Sequence, residues 1–292
     1  MQSFENKICL ITGATSGIGK AAALKLAKLG ASLVLIGRNA DKGRIICDQI
    51  KKETNNKKIE FYKLDLSLMK EVSKSAKRIK SDYEHIDILI NNAGARFLDH
   101  IISKEGIEQT LAVNHLSHFL LTNLLINTLK KSSAATIVNI SSGVHYSGNG
   151  IIENITNRNE YDGRRQYANS KLANVLFTYE LADRLKNIKV TANAVDPGGV
   201  ATNFARNNGL INWLKHRIYY LMKGNLLTPE QGAETIIYLA TSPSVEGITG
   251  KYFKDKKAIK SSSISYDLNM ARKLWEASEK IIVQQLGEQL DN

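Results

Sequence analysis

The stretch Lys7–Arg38, KICLITGATSGIGKAAALKLAKLGASLVLIGR, decides the fold of this chain of 292 residues. It begins with a short apolar run, Ile8–Ile11, whose length is typical of a buried strand. After a turn, apolar residues recur at helical spacing over Ile18–Leu29, and a second apolar run follows at Leu33–Ile36. A strand, a turn, a helix and a strand within about thirty residues predict a βαβ unit.

The turn of this unit contains Gly13, Gly17 and Gly19, at the point where the predicted helix begins. A helix N-terminus presents unpaired N–H groups and the positive end of the helix dipole, and both suit a pyrophosphate. Glycines in a loop are otherwise ordinary turn formers, but here a strand precedes them and a helix follows. The pattern therefore favours a dinucleotide site over a purely structural turn.

Strand-like runs alternate with helical patterns along the rest of the chain. The further strand-like runs are Ile59–Leu64, Ile86–Ile90, Thr136–Ile140 and Val190–Val195, and the helical patterns fall near Asp41–Glu53, Leu68–Tyr83, Ile107–Lys130 and Ser170–Leu185. This alternation predicts an α/β fold, a Rossmann-like doubly wound parallel sheet with helices on both faces. No linker or repeat divides the chain, so we expect one domain over residues 1–292, with a cofactor-binding part at about 1–145 and a catalytic and substrate part at about 146–292.

Composition narrows the class of protein. There are 40 Lys and Arg against 28 Asp and Glu, a net charge of +12, but the lysines are scattered and no zinc spacing or nucleotide-stacking motif accompanies them. We therefore expect a solvated basic surface, no nucleic-acid partner and no metal site. Cys9 and Cys47 provide no disulfide framework. No signal or long apolar stretch is visible, so we expect a cytoplasmic protein or one peripheral on an intracellular membrane.

Polar residues and glycines follow each predicted strand, where ligands bind in sheets of this kind. Beyond the glycine turn they are Arg38, Asp65, Asn91-Asn92-Ala93-Gly94, Ser141-Ser142 and Asp196-Pro197-Gly198. Each alone is readily explained as a cap or turn residue. Because the carboxyl ends of parallel strands meet at one edge, the six groups together predict a single site.

Arg38 bears on the identity of the dinucleotide. An acidic residue about twenty positions after the glycine turn commonly holds the ribose 2′-hydroxyl of NAD, whereas an arginine suits the 2′-phosphate of NADP. No acid ends this strand, since the sequence reads Ile36-Gly37-Arg38-Asn39. We therefore expect NADP(H) rather than NAD(H), the alternative being a surface arginine.

Tyr167 and Lys171 stand four residues apart at the start of a predicted helix, so they share one helical face. A phenol with an ordinary pKa near 10 is a poor acid or base at neutral pH, and a neighbouring ammonium lowers that pKa by favouring the phenolate. A YxxxK pattern is common by chance. Its position after a glycine turn and a sheet of the right order makes it a candidate acid/base pair.

These motifs together resemble the short-chain dehydrogenase/reductase family over nearly the whole chain. The resemblance implies that Tyr167 is the acid or base, that Lys171 holds the nicotinamide ribose and tunes Tyr167, that Ser142 binds the substrate oxygen and that Asn114 supports a proton relay. Ser141 is the alternative to Ser142, and a purely structural bond is the alternative for Asn114. The implied cofactor site comprises Gly13, Thr15, Ser16, Gly17, Ile18, Gly19, Arg38, Asn39, Asp65, Leu66, Asn92, Ala93, Gly94, Tyr167, Lys171, Pro197, Gly198, Val200 and Thr202.

A narrower resemblance is to the retinol dehydrogenase and WW-domain oxidoreductase branch. It is carried by Val113–Thr122, by Tyr167–Phe177 and by Gly250–Phe253 followed by a helix with Leu274-Trp275. The branch implies a small-molecule carbonyl or alcohol substrate of retinoid, steroid or lipid-aldehyde type. The sequence departs from the branch at Asp196, where a histidine is common, and in having no N-terminal anchor.

Three expectations concern partners and the remaining candidate groups. The stretch at 200–227, with its core at 210–223, is interpreted as a lid over a lipophilic substrate, as a basic amphipathic helix on a membrane or as a plain packing helix. The family resemblance also implies a homodimer formed through the helices near Leu116–Lys130 and Ser170–Leu185. His115, His118 and His145 are expected to be packing or surface residues. A regulatory or scaffold protein that binds the cofactor with little turnover is the alternative function.

Overall fold

The structure is a computed structural model that describes residues 4–150, 159, 161–202, 204, 208–209, 214, 218, 221–222 and 226–287. The strands are β1 (Ile8–Thr12), β2 (Ser32–Gly37), β3 (Ile59–Lys63), β4 (Ile88–Asn91), β5 (Ala135–Ile140), β6 (Val190–Asp196), β7 (Tyr252–Lys254) and β8 (Lys257–Ile259). The helices are α1 (Gly17–Lys28), α2 (Ala40–Thr54), α3 (Met69–Asp82), α4 (Gln109–Leu111), α5 (Ser117–Lys130), α6 (Gly163–Arg184), α7 (Pro229–Thr241) and α8 (Leu268–Leu286).

The strands of the described residues form one sheet in the order β3-β2-β1-β4-β5-β6-β7-β8. Every neighbouring pair is parallel except β7 and β8, which are antiparallel. The chain runs outward from β1 in both directions, so the crevice between β1 and β4 is the switch point at which such sheets bind ligands. The predicted α/β, doubly wound architecture is confirmed.

Two apolar layers cover the faces of the sheet. Successive residues of a strand point to opposite faces, so Leu10 packs with α3, α5, α6 and α8, whereas Cys9 and Ile11 pack with α1, α2 and α7. Because both faces are buried, the strands read as continuous apolar runs rather than as alternating patterns. Cys9 is fully buried and reduced, as a small core residue would be.

Local sequence features determine the end of α1 and the start of α7. After α1, Gly30 has a φ of +92°, a conformation that glycine adopts without strain. Before α7, the Thr228 hydroxyl accepts the Gln231 N–H while the Gln231 side chain accepts the Thr228 N–H, and Pro229 occupies the first helical position. The capping box and Pro229 together define the start of α7.

The predicted single helix over Ile107–Lys130 is wrong in detail. The buried Glu108 carboxylate caps the short α4 by accepting two backbone N–H groups. A turn of π-helix, Ala112–Leu116, then joins α4 to α5. Such turns shift the backbone hydrogen-bond register by one residue and are frequent at functional sites.

The C-terminal part adds two strands that the sequence did not predict and one helix that it did. Asp255 and Lys256 both have positive φ and join β7 to β8 in a tight hairpin. The last helix, α8, packs on α6. Its Trp275 ring lies 4.8 Å from the Phe119 ring, and the Arg184 guanidinium lies 4.0 Å above the Trp275 ring.

Most of the proposed lid at 200–227, including nearly all of its core at 210–223, lies outside the described residues. Among the helices that the structure describes, none combines the length and the apolar character that crossing a membrane requires.

Candidate active site

A cavity of about 360 Å³ runs along the carboxyl edge of the sheet over β1, β2 and β4. Many of the predicted cofactor residues line it, and they come from five separate loops, those after β1, β2, β3, β4 and β6. They are Gly13, Thr15, Ser16, Gly17, Ile18, Gly19, Arg38, Asp65, Leu66, Asn92, Ala93, Gly94 and Thr202. The parallel sheet therefore brings these residues together at the edge where ligands are expected to bind.

The glycine turn is packed so closely that side chains do not fit. Gly13 has a φ of +67°, and a Cβ there would lie 2.8 Å from the Ala93 Cα. A Cβ on Gly19 would lie 2.5 Å from the Gly13 carbonyl oxygen. The turn thus leads the chain directly from β1 into α1 with its backbone exposed to the cavity.

The N-terminus of α1 faces this cavity with its backbone donors available. Ser16 is the N-cap residue, but its side chain makes no capping hydrogen bond. No acidic residue lies in the first turn of this 12-residue helix. The N–H groups and the positive dipole end are therefore available for an anion, so the turn fits a dinucleotide pyrophosphate.

Arg38 lines the far end of the cavity, beside Gly37. A Cβ on Gly37 would lie 2.9 Å from Thr15 Cγ2, so a larger residue here would push against the glycine turn. Asn39 is placed differently from the other predicted cofactor residues: it is outside the cavity lining, and its side chain caps α2 by accepting the Lys42 N–H. At this position a helix cap and a cofactor ligand have the same sequence pattern.

A second cavity, of about 130 Å³, adjoins the first and contains three of the four predicted catalytic groups. Ser142, Tyr167 and Lys171 line it together with Pro197, Gly198, Val200 and Thr202. Ile18, Asn92, Gly94, Thr202 and Phe204 line both cavities. The two cavities are therefore parts of one cleft, with the glycine turn at one end and the tyrosine at the other.

Tyr167 and Lys171 lie on the same face of α6, as their spacing predicts. The Lys171 Nζ atom is 5.8 Å from the centroid of the Tyr167 ring. On its other side, the Tyr167 ring packs against Phe204 at 5.2 Å. The ammonium and the phenol ring therefore meet at the wall of the catalytic cavity.

Lys171 is only 3% exposed, and its Nζ donates a hydrogen bond of 3.0 Å to the Ile140 carbonyl oxygen. Burial lowers the pKa of Lys171 to about 8, because the apolar surroundings disfavour the charged form. The side chain is thus a cation held near its titration point, which is an arrangement typical of active sites.

The two serines after β5 have different surroundings. The Ser141 hydroxyl is buried and donates to the Lys171 carbonyl oxygen at 2.8 Å, which fixes β5 against α6. The Ser142 hydroxyl lies at the cavity wall and accepts a long hydrogen bond, 3.4 Å, from the Val144 N–H. Its own proton therefore stays available for a substrate oxygen.

Asn114 lies in the π-turn and is fully buried. Its side-chain amide donates to the Ala95 carbonyl oxygen and to the Ser170 hydroxyl, and its side-chain oxygen accepts the Ala95 N–H, all at 2.8–2.9 Å. The residue lines neither cavity directly. It therefore links the loop after β4, through Ala95, to Ser170 of α6, which is the residue before Lys171.

Several lining residues were not predicted from the sequence, and two of them have large side chains in the catalytic cavity. Arg96 and Phe204 both face the catalytic cavity. Each stands two residues beyond a predicted site residue, Gly94 and Thr202 respectively. Extending each strand-end motif by two positions would have found them.

The three histidines near the cleft have hydrogen-bond partners within the protein, as expected for packing residues. His115 contacts Ser278 at 2.9 Å, and the Nε2 of His145 accepts the Ser262 N–H at 3.0 Å. Burial lowers the pKa of His115 to about 4, so this imidazole is neutral at physiological pH. His118 is considered separately below.

Comparison with known proteins agrees with this geometry. The family model described as short chain dehydrogenase matches residues 7–210. Human retinol dehydrogenase 11 is 37% identical over 272 residues, covering 93% of this chain and 84% of its own, and human polyprenol dehydrogenase is 37% identical over 281 residues, covering 94% and 84%.

A solved structure from Shigella flexneri, described as a short chain dehydrogenase complexed with NADP, superposes with a TM-score of 0.67 at 26% identity, covering 88% of this chain and all of that one. The fold and the residues of the cleft thus indicate the same family as the sequence and structure comparisons. The chain therefore belongs to the short-chain dehydrogenase/reductase family, in its retinol dehydrogenase branch.

Proposed function

We propose that the protein is an NADP(H)-dependent oxidoreductase that interconverts a carbonyl and an alcohol on a lipophilic substrate. The observation that carries this proposal is the single cleft in which Tyr167, Lys171 and Ser142 adjoin the glycine turn. A cofactor-binding scaffold without turnover has no need of a serine and a tyrosine facing the same small cavity beside a buried lysine.

The residues have separate roles in the proposed reaction. A nicotinamide bound in the cleft supplies or accepts the hydride. Tyr167 donates a proton to the carbonyl oxygen during reduction and removes the alcohol proton during oxidation. Lys171 favours the phenolate of Tyr167 through its charge, and Ser142 donates a hydrogen bond to the substrate oxygen. Asn114 fixes the position of the loop after β4 relative to helix α6, and this position is required for the proton relay.

The preference for NADP(H) rests on Arg38 at the end of β2 and on the absence of an acidic residue from that strand end. The arginine suits a ribose 2′-phosphate by bidentate pairing. We expect Arg38→Asp to weaken NADPH binding by a factor of about 100, and to leave NADH binding nearly unchanged, because it replaces attraction by repulsion near the phosphate. Equal preference for NADPH in the variant and the wild type would contradict the assignment.

The substrate class follows from the cavity walls and the relatives. Ile18, Val144, Val200 and Phe204 contribute apolar side chains to the catalytic cavity beside its polar groups. The names of the relatives refer to retinol and polyprenol, both of them lipid alcohols. These two observations support a lipophilic carbonyl or alcohol.

A membrane contact is part of the same proposal. Within the stretch at 210–223, the described residues Leu214, Ile218, Leu221 and Met222 are 42%, 52%, 65% and 82% exposed. Their spacing places them on one helical face. Lys215, Arg217 and Lys223 alternate with them in the sequence, which suits an anionic lipid surface.

Flotation with anionic liposomes tests the membrane contact. We expect the wild type to float with the vesicles and Leu221→Glu to remain behind, because a charge on the apolar face opposes insertion. Lys186→Glu, a change of one exposed residue to acid elsewhere on the surface, controls for net charge. Failure of the wild type to bind vesicles would remove the membrane from the proposal.

Oligomeric state stays a prediction. In the single chain, α5 and α6 are almost entirely buried, because α3 packs on α5 and α8 packs on α6. A dimer formed through these two helices would therefore have to use their few exposed residues. Analytical ultracentrifugation distinguishes a monomer from a dimer directly.

The decisive experiment is NADPH oxidation with a panel of carbonyl compounds, from retinal to small aldehydes and quinones. We expect turnover in the wild type and a loss of about 100-fold or more in Tyr167→Phe, because the proton donor is removed. Tyr179→Phe is the matched control, since this tyrosine lies on the same helix but bonds Ser261 outside the cleft. Cofactor binding without turnover of any carbonyl would favour the scaffold alternative.

A further inference from the structure

One buried imidazole links the cofactor end of the cleft to Asn114. His118 lies in the first turn of α5 and is 2% exposed. Its Nδ1 atom is 3.2 Å from the Asn114 carbonyl oxygen, and its Nε2 atom is 3.1 Å from the Thr12 hydroxyl. Thr12 is the last residue of β1 and directly precedes Gly13.

The partners determine which nitrogen of His118 carries the proton. A carbonyl oxygen only accepts hydrogen bonds, so Nδ1 must be the donor toward Asn114. Burial and the nearby Lys171 ammonium lower the pKa of His118 to about 3, and His115 has the same effect more weakly. The ring is therefore neutral, and Nε2 accepts the proton of the Thr12 hydroxyl.

The Thr12 oxygen is fully used by this arrangement. It accepts the backbone N–H groups of Asn92 and Ala93, both at 2.9 Å, and its own proton has two acceptors: the His118 Nε2 at 3.1 Å and, at a longer 3.4 Å, the Ile90 carbonyl oxygen. Asn92 and Ala93 line the cofactor cavity. One end of the chain of hydrogen bonds thus holds the loops after β1 and β4.

At the other end, the imidazole holds the backbone of Asn114 within the π-turn. The Asn114 side chain already uses both of its N–H bonds, on Ala95 and Ser170. A Cβ built on Gly94 would lie 3.3 Å from the Lys171 Nζ and 3.6 Å from the Asn114 side-chain oxygen, so the lysine and the asparagine flank the same point. A displacement of the Asn114 backbone therefore reaches the surroundings of Lys171.

We propose that His118 is a positioning residue that fixes the Asn114 carbonyl relative to Thr12, so that the proton relay and the cofactor loops keep one geometry. The inference rests on the proposed function for the relay, but the hydrogen-bond chain itself does not depend on it. The ring takes no part in proton transfer, because both of its nitrogens are engaged and it stays neutral.

The first test is made on the wild-type protein without turnover. Nitrogen-15 NMR of histidine-labelled protein, with the His118 signal assigned by its loss in His118→Asn, reports the tautomer and the charge. We expect a neutral ring protonated at Nδ1 at every pH from about 5 to 9. A ring protonated at Nε2, or one that titrates in this range, would overturn the proposal.

The second test separates the two ends of the chain of hydrogen bonds. An asparagine at position 118 retains a donor for the carbonyl four residues earlier, as Asn123 does on the same helix toward the Phe119 carbonyl at 2.8 Å. His118→Leu removes both ends. We expect kcat to fall about 10-fold or more in His118→Leu with a changed pH profile, and to recover to within about 3-fold in His118→Asn.

Asn123→Leu is the matched control, because it removes a buried bond of the same kind outside the cleft. We expect it to leave kcat and its pH profile unchanged. Cofactor affinity, measured by NADPH fluorescence, should fall about 10-fold in both His118 variants, since each loses the Thr12 contact. Equal kcat in the Leu and Asn variants would overturn the proposal, and if the Leu variant does not fold, unchanged cofactor affinity in His118→Asn would do so.

These outcomes are distinct from failure of the proposed function. If the wild type turns over no carbonyl compound, the enzymatic assignment fails, and the NMR tautomer and the NADPH affinities still decide the placement of His118.

Discussion

Replacing Lys171 by methionine is expected to stabilise the protein while it removes a group required for the proposed reaction. The wild-type ammonium is 3% exposed, and burial lowers its pKa from 10.5 to about 8. A pKa difference of this size corresponds to about 3 kcal/mol at about 1.4 kcal/mol for each pKa unit. The folded protein bears this cost at pH 7, where the lysine is charged in both the folded and the unfolded states.

The net effect is smaller, because the variant also loses the hydrogen bond to the Ile140 carbonyl oxygen. A bond from a charged donor contributes about 1.5–3 kcal/mol, so Lys171→Met should gain about 1 kcal/mol at pH 7. The pH dependence has a definite sign. Between pH 8 and 10.5 the unfolded chain binds more protons than the folded one, so wild-type stability rises with pH and the advantage of the variant disappears.

Urea unfolding of the cofactor-free protein at pH 7 and at pH 9.5 measures this difference. Lys25→Met, at an exposed position of α1, is the control and should show no comparable change between the two pH values. A variant less stable than the wild type at pH 7, or an advantage that persists at pH 9.5, would refute the assignment of a costly buried charge.

Three further predictions concern the frame around the cleft. Gly43→Ala should destabilise the protein by about 1–3 kcal/mol in urea unfolding, because its Cβ would lie 2.3 Å from the Phe61 ring; an unchanged midpoint would contradict the packing. Burial alone would raise the pKa of Asp87, but hydrogen bonds from Ser132 and two other donors hold it below its usual value of 3.8. Asp87→Asn should therefore cost about 2 kcal/mol at pH 7 and progressively less as the pH falls below 3.8 toward the lower pKa of the folded state, because the unfolded chain then binds a proton that the folded wild type does not; a pH-independent cost would argue against the charged clamp. Thr228→Ala should lower the free energy of unfolding by about 1 kcal/mol through loss of the capping box, and Thr228→Ser, which keeps the hydroxyl, should not.

The central sheet and the site edge could be predicted because their signals are local. The inner strands are buried on both faces, so each reads as an apolar run, and the chemistry follows the run directly. Tyr167 and Lys171 were predicted from a spacing that only a helix turns into proximity. These parts required no knowledge of long-range contacts.

The parts that escaped prediction depend on contacts between distant segments. The strands β7 and β8 have only three residues each, and the Asp255-Lys256 turn lacks the glycine that usually marks such a hairpin. The π-turn leaves the apolar pattern of Ile107–Lys130 almost unaltered, because it displaces the backbone register by a single residue.

The roles of neighbouring residues at a strand end also could not be predicted from the sequence. Asn39 and Arg38 are adjacent at a strand end, yet one caps a helix and the other lines the cavity. Ser141 and Ser142 both line the catalytic cavity, but the Ser141 hydroxyl donates to the Lys171 carbonyl oxygen, whereas the Ser142 hydroxyl accepts the Val144 N–H. Only the folded backbone distinguishes these neighbours, since both members of each pair satisfy the same sequence pattern.

The position of α8 has a consequence for biosynthesis. This helix follows the predicted catalytic residues along the chain, and it supplies Trp275, which packs on Phe119 of α5 and Phe177 of α6, and Ser278, which bonds His115. A nascent or prematurely terminated chain that stops before Leu268 carries every catalytic side chain but leaves Phe119 and Phe177 exposed to water. Truncation before Leu268 should therefore yield aggregation and degradation rather than a shortened functional protein.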